Sequence, residues 1–156
     1  MVTTNENKTL QRVAEIRLSY KSNVKPSERL KIACSKDAYA ILKENWDESK
    51  IEFVEQFKLM LTNRAHKVLG ILEVSLGGIS GTVADPKVIF AAAIKAGASG
   101  FIVAHNHPSG NLNASQADID LTKRLREGGK ILEIQLLDHL IITTEGYMSF
   151  ADEGMI

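Results

Sequence analysis

The sequence predicts an α/β fold, a single three-layer domain with a mixed central β-sheet and helices on both faces. In the second half, short apolar segments alternate with helical patterns, as in strands joined by crossover helices. In the first half, apolar segments 51–63 and 67–75 flank a polar turn at Thr62-Asn63-Arg64, which indicates an antiparallel hairpin. A length of 156 residues suits one domain with its own core.

Three regions are expected along the chain: a disordered tail over 1–8, an N-terminal strand-helix extension over 9–50, and a metal-binding core over 51–156. In the extension, the alternation from Val13 to Tyr20 predicts a strand with one wet face. Ser35 or Asp37 is the expected cap of a helix that runs to about Asn45.

The core contains further predicted elements after the hairpin. These are a helix over 87–96, a strand over 100–104, a helix that starts at 116, and strands over 131–137 and 140–143. Asp85 and Pro86 suit the cap and first position of the first helix, and Gly97 suits its end. The pair Gly128-Gly129 is expected to end the second helix.

The composition limits the classes of function. Nineteen basic residues balance nineteen acidic ones, so the chain has no overall charge that attracts nucleic acid or an anionic membrane. Cys34 is the only cysteine, which excludes an internal disulfide and a thiolate zinc cluster. The N-terminus lacks the apolar core of a signal peptide, and no apolar run approaches the ~18 residues of a membrane span. We therefore expect a cytoplasmic location, and the oligomeric state stays open.

The most informative motif is His105-Asn106-His107 followed by Ser115-x-x-Asp118. Alternate side chains of an extended segment point the same way, so both histidines should project together, with Asn106 on the other side. Asp118 should lie in the first turn of the next helix. Two imidazoles and one carboxylate form a three-ligand zinc set with a coordination position open for water.

Each part of this motif also has a simpler interpretation. Ser115 and Asp118 satisfy the spacing of a helix capping box. The two histidines alone could be core or surface residues near a strand end. The combination, placed across a predicted strand, turn and helix, favours the metal site.

A zinc hydrolase also needs a carboxylate that moves the proton of the attacking water. The upstream candidates are Glu48, Glu52, Glu55 and Glu73. Glu55 lies directly before an apolar run at the rim of a predicted strand, where it can face a neighbouring strand end. From position alone, an ordinary solvated glutamate at the strand edge is the favoured interpretation.

Five segments carry a family resemblance: 55–61, 75–78, 104–110, Ser115-x-x-Asp118, and 138–142. Through them, residues from about 52 to 150 resemble the JAMM (MPN-type) zinc metalloprotease domain, and specifically its RadC-like branch. The resemblance implies an MPN-like, deaminase-like topology. It also implies roles for five residues: zinc ligands His105, His107 and Asp118, general base Glu55, and oxyanion-stabilising Ser115.

The implied function is a zinc-dependent hydrolase of the peptidase or isopeptidase type, acting on a peptide or amide. Asp138-His139 is either a pair that orients a metal ligand by hydrogen bonding to it or a turn pair. The alternatives are a nucleic-acid-associated module, as in RadC-type DNA repair, and a non-catalytic zinc-binding interaction domain. Residues 1–50 lack the helix-hairpin-helix pattern of longer RadC-like proteins, so only weak DNA binding is expected. The signatures of zinc deaminases and of H-E-x-x-H proteases are absent.

Overall fold

The computed structural model describes residues 13–78 and 83–156. The tail predicted over 1–8 lies outside these residues. The helices of the described part are α1 (Ser35–Glu44), α2 (Pro86–Lys95) and α3 (Gln116–Leu132), and a short 3-10 turn spans Pro26–Glu28. The strands are β1 (Gln56–Thr62), β2 (Val68–Leu76), β3 (Gly100–Asn106), β4 (Gln135–Ile142) and β5 (Tyr147–Ser149).

The strands form one sheet in the order β2-β1-β3-β4-β5. β3 and β4 run parallel, and α3 connects them, because a parallel pair needs a long crossover. The other three neighbouring pairs are antiparallel, including the predicted hairpin of β1 and β2. The mixed sheet expected from the sequence is therefore confirmed.

Helices cover both faces of this sheet. On one face, Phe57 and Leu59 belong to an apolar cluster with Ile89 of α2 and Leu125 of α3. The other face packs against α1, and this second cluster is formed by residues such as Leu42, Trp46, Met60, Ile102 and Leu140. Every residue of β1 and β3 is buried, as expected for central strands covered on both sides. The three-layer α/β prediction is confirmed.

The start of α2 follows its sequence signals. The Asp85 carboxylate accepts a hydrogen bond from the Lys87 N–H at 2.9 Å, and Pro86 occupies the first turn. The chain leaves the helix through Gly97, whose φ of 64° is left-handed. Local chemistry is sufficient to place both ends of this helix.

The prediction that α3 ends at Gly128-Gly129 is wrong. The helix continues to Leu132 and ends at Glu133, which has a left-handed φ of 56°. A Cβ on Gly128 would lie 2.8 Å from the Phe90 ring, and one on Gly129 would lie 2.3 Å from a backbone carbonyl oxygen. Close packing, not helix termination, accounts for these glycines. The two strands predicted over 131–143 are consequently one strand, β4, and β5 was not anticipated.

The strand predicted from Val13 to Tyr20 is also wrong. This segment forms no strand, and Val13, Ile16 and Leu18 are 72%, 86% and 78% exposed. A hydrogen bond from the Tyr20 hydroxyl to the Leu69 carbonyl at 3.0 Å ties its end to β2. The alternation of apolar and polar residues indicates which side chains share one face of a strand. It does not provide a neighbouring strand with which this segment could pair.

The strand predicted over 51–63 begins only at Gln56, since the preceding residues form turns. Within 13–78 and 83–156, no helix has the length and apolar character needed to cross a membrane.

Candidate metal centre

The three predicted metal ligands converge at one end of the sheet. The Nε2 atoms of His105 and His107 are 3.0 Å apart. The Asp118 carboxylate lies 3.2 Å from Nε2 of His105 and 3.7 Å from Nε2 of His107. One ligand atom from each residue lies within 4.8 Å of the others. This group can therefore hold a metal ion.

Local structure explains the convergence. His105 lies in β3, and His107 follows it, held by a hydrogen bond from its N–H to the Ile142 carbonyl at 3.0 Å. A turn that includes Gly110, with a left-handed φ of 81°, then leads toward α3. At the start of α3, Ser115 N–H donates to Asp118 Oδ2 at 2.8 Å, and Asp118 N–H donates to Ser115 Oγ at 3.1 Å. The capping box and the metal site are thus compatible, because capping directs the Asp118 carboxylate.

The chemistry of the donor set fits a divalent cation. His107 Nδ1 lies 2.6 Å from the Asn111 carbonyl oxygen, which can only accept a hydrogen bond. Nδ1 of His107 therefore carries the proton, and its Nε2 presents a lone pair to His105 and Asp118. Two imidazole nitrogens and one carboxylate are a ligand set that zinc accepts at a catalytic site.

The charges of the site depend strongly on one another. Burial raises the pKa of Asp118, but the adjacent His105 and His107 rings, which can donate to it when they are protonated, and the Ser115 N–H outweigh burial and hold that pKa well below its ordinary value. Asp118, to which a protonated His107 ring can donate, is the main cause that raises the pKa of His107. Asp118 thus remains a carboxylate at neutral pH, as a metal ligand must.

Glu55 lies directly before β1 and is half-buried. Burial is the main cause that raises the pKa of Glu55. The charges of His105 and His107 lower this pKa, and the charge of Asp118 raises it. These interactions place the Glu55 carboxyl in the electrostatic environment of the three ligands. A pKa raised above the ordinary value suits a group that both accepts and releases a proton near neutral pH.

Asn106 is a positioning residue that the sequence did not reveal. Its Oδ1 accepts from the Gln56 N–H at 2.7 Å, and its Nδ2 donates to the carbonyls of Ile51 and Val54 at 2.8 and 2.9 Å. The bonded residues lie on both sides of Glu55 in the sequence, so these bonds attach the Glu55 segment to the strand that contains His105. The available signal was an amide between two histidines at the end of an apolar run, because a polar side chain there needs buried hydrogen-bond partners.

We expect Asn106→Ala to destabilise the fold by about 3 kcal/mol, because one backbone N–H and two carbonyls lose their buried partner. Urea denaturation of the metal-free protein measures this change. Asn113→Ala is the matched control: Asn113 is exposed, so its effect should stay within about 0.5 kcal/mol. Equal stabilities of the two variants would contradict the role assigned to Asn106.

The side chains of Asp138 and His139 make contacts on opposite sides of β4, because successive side chains in a strand point to opposite faces. His139 Nε2 lies 2.9 Å from His105 Nδ1, and burial lowers the pKa of His139 well below its ordinary value. The Asp138 carboxylate instead accepts bonds from Ser149 Oγ at 2.6 Å and the Ala151 N–H at 3.0 Å. Of the two residues, His139 contacts a predicted metal ligand, and its ligand-orienting role stays a prediction. Asp138 holds the segment after β5.

Aromatic rings support the buried side of the centre. Phe57 stacks on His105 with ring centroids 5.8 Å apart and planes 6° from parallel. Phe150 stacks on His139 at 4.5 Å and 12°. Beside His107, a polar cleft of about 250 Å³ is lined by Ile51, Glu52, 108–110 and 143–145. A larger cavity of about 580 Å³ at the opposite end of the sheet contains none of the site residues.

Comparison with known proteins is consistent with this geometry. Residues 32–155 match the family described as "RadC-like JAB domain". A UPF0758 protein of Flavobacterium johnsoniae is 40% identical over 151 residues, covering 96% of this chain and 65% of that protein. A UPF0758 protein of Thermosynechococcus vestitus is 44% identical over 98 residues, covering 63% of the chain and 39% of the relative. The chain therefore spans 65% of the first relative and well under half of the second.

Proposed function

Because the chain belongs to the family of RadC-like JAB domains, we propose that it is a metal-dependent hydrolase that uses zinc to cleave amide bonds. The observation that carries this proposal is the convergence of His105, His107 and Asp118, with ligand atoms within 4.8 Å of one another. The donor set suits zinc and leaves a coordination position for water. A peptidase or isopeptidase activity follows from the family chemistry, and the substrate is a peptide or other amide.

The chain's own residues divide the chemistry between them. When bound, a zinc ion lowers the pKa of a water molecule and polarises a carbonyl group. Glu55 accepts a proton from the attacking water and delivers it to the leaving nitrogen. The Ser115 hydroxyl accepts from the Asp118 N–H, so its own proton is available to a developing oxyanion. The cleft beside His107 receives the substrate.

Two measurements on one preparation test this proposal. Elemental analysis should find about one zinc per chain, which a strong chelator removes and added zinc restores. A complex peptide mixture and an isopeptide-linked substrate are then incubated with each form, and mass spectrometry detects new amine termini. Cleavage by the zinc form alone is expected. A protein without affinity for zinc, or a zinc form that cleaves neither substrate, would count against the proposed hydrolase.

A further inference from the structure

A chain of buried hydrogen bonds links two of the prospective ligands behind the metal centre. Thr122, 2% exposed, lies one turn after Asp118 on α3. Its Oγ1 is 2.7 Å from the Asp118 backbone carbonyl oxygen and 2.7 Å from His139 Nδ1. His139 Nε2 is in turn 2.9 Å from His105 Nδ1. The chain thus runs from Asp118 through Thr122 and His139 to His105.

Elementary bonding rules assign the proton at the start of this chain. A carbonyl oxygen has no proton, so the hydroxyl of Thr122 donates to the Asp118 carbonyl. A hydroxyl has only one proton to donate. Oγ1 of Thr122 must therefore accept the hydrogen bond that it shares with His139. The proton of that bond belongs to Nδ1 of His139.

The same rules determine the state of His105. His139 is fully buried and stacks against Phe150, an environment that disfavours a charged imidazolium. With its single proton on Nδ1, neutral His139 presents an Nε2 lone pair. His105 then donates from its Nδ1, and the lone pair of its Nε2 faces Asp118 at 3.2 Å.

We propose that Thr122 is a positioning residue whose hydroxyl fixes the tautomer of His139 and, through it, that of His105. The Nε2 lone pair of His105 is thereby directed at the metal site before an ion binds. This inference rests on the proposed function in that it takes the site to bind a metal. Neighbours that fix the tautomer of a ligating histidine change metal affinity by about 10–100-fold when they are replaced.

The test compares Thr122→Val, which removes the hydroxyl and keeps the shape, with Thr122→Ser, which restores the hydroxyl. ¹⁵N NMR of the imidazoles reports the tautomers in the metal-free protein. Competition with a chromophoric chelator reports the Kd for zinc. Thr62→Val is the matched control, because Thr62 is equally buried but lies at the far end of β1, where its hydroxyl has no hydrogen-bond partner among residues 13–78 and 83–156.

Wild type should show His105 and His139 both protonated at Nδ1. In Thr122→Val, His139 loses the acceptor for that proton, so protonation moves to its Nε2 and places the His105 proton on Nε2, facing the site. Zinc affinity should fall about 10–100-fold in Thr122→Val and stay near the wild-type value in Thr122→Ser and Thr62→Val. Thermal unfolding of each metal-free variant checks that it is folded.

Each contrary result has a distinct meaning. A metal-free wild type in which the neutral His105 ring carries its proton on Nε2 overturns the inference even if Thr122→Val does not fold. Equal zinc affinity and unchanged tautomers in Thr122→Val overturn it as well. A wild type that binds no zinc counts against the proposed hydrolase, and the tautomers then still decide the role of Thr122.

Discussion

Replacing Glu55 with Gln is expected to lower the rate of amide hydrolysis by about 10²–10⁴-fold, the usual contribution of a general base. The amide has nearly the same shape as the carboxylate but cannot accept the proton of the attacking water. Zinc content should not change, because Glu55 is not one of the three converging ligands. Steady-state kcat and elemental analysis on the same preparation measure the two effects.

A matched control variant makes this result specific. Glu48→Gln removes an exposed carboxylate from the preceding turn and should retain wild-type kcat. If Glu55→Gln loses zinc together with activity, or keeps full turnover, Glu55 is not the general base. Glu52, exposed and three residues upstream, is then the next residue to replace.

The pH profile provides a second test of Glu55. Burial raises the pKa of its carboxyl above the ordinary 4.5, and the protonated form cannot act as a base. In the metal-free protein the Glu55 carboxyl should therefore protonate with a midpoint above 4.5 as the pH falls, which NMR of ¹³C-labelled glutamate measures. A midpoint at or below the ordinary glutamate value would contradict the role of burial at this residue.

Replacing His105 with Ala is expected to weaken zinc binding by more than about 100-fold. Loss of a residue that only hydrogen-bonds to a metal ligand weakens binding by up to about 100-fold, and loss of a ligand itself should exceed that. His105 is the central ligand, with Nε2 close to both His107 and Asp118. Hydrolysis should disappear with the metal. Chelator competition measures the Kd, and added zinc should not restore wild-type activity at concentrations that saturate wild type.

Controls must separate loss of a ligand from loss of the fold, because His105 is 1% exposed and stacks on Phe57. His107→Ala removes a partly exposed ligand and should weaken zinc binding with less damage to the core. His66→Asn replaces an exposed histidine with a residue that tolerates its left-handed φ of 58°, and should leave zinc affinity unchanged. Wild-type affinity in both His105→Ala and His107→Ala would refute the metal site.

The sequence by itself determined the features that depend on local chemistry. The candidate ligands lie within 105–118, where the strand period, a turn and the first turn of a helix decide which side chains share a face. The cap of α2 at Asp85 is equally local. Glu55 is fifty positions from His105, and position alone did not distinguish it from other glutamates. Only the family resemblance singled it out.

Tertiary structure alone decided the contacts between distant segments. The pairing of Phe57 with His105 brings Glu55 to the ligands, and Asn106 secures that segment. Packing decided whether glycines ended α3, and the division between Asp138 and His139 depends on what lies on each side of β4. The physical reason is that periodicity and capping reflect interactions a few residues apart. The partner of a buried polar group is chosen by whichever distant segment packs against it.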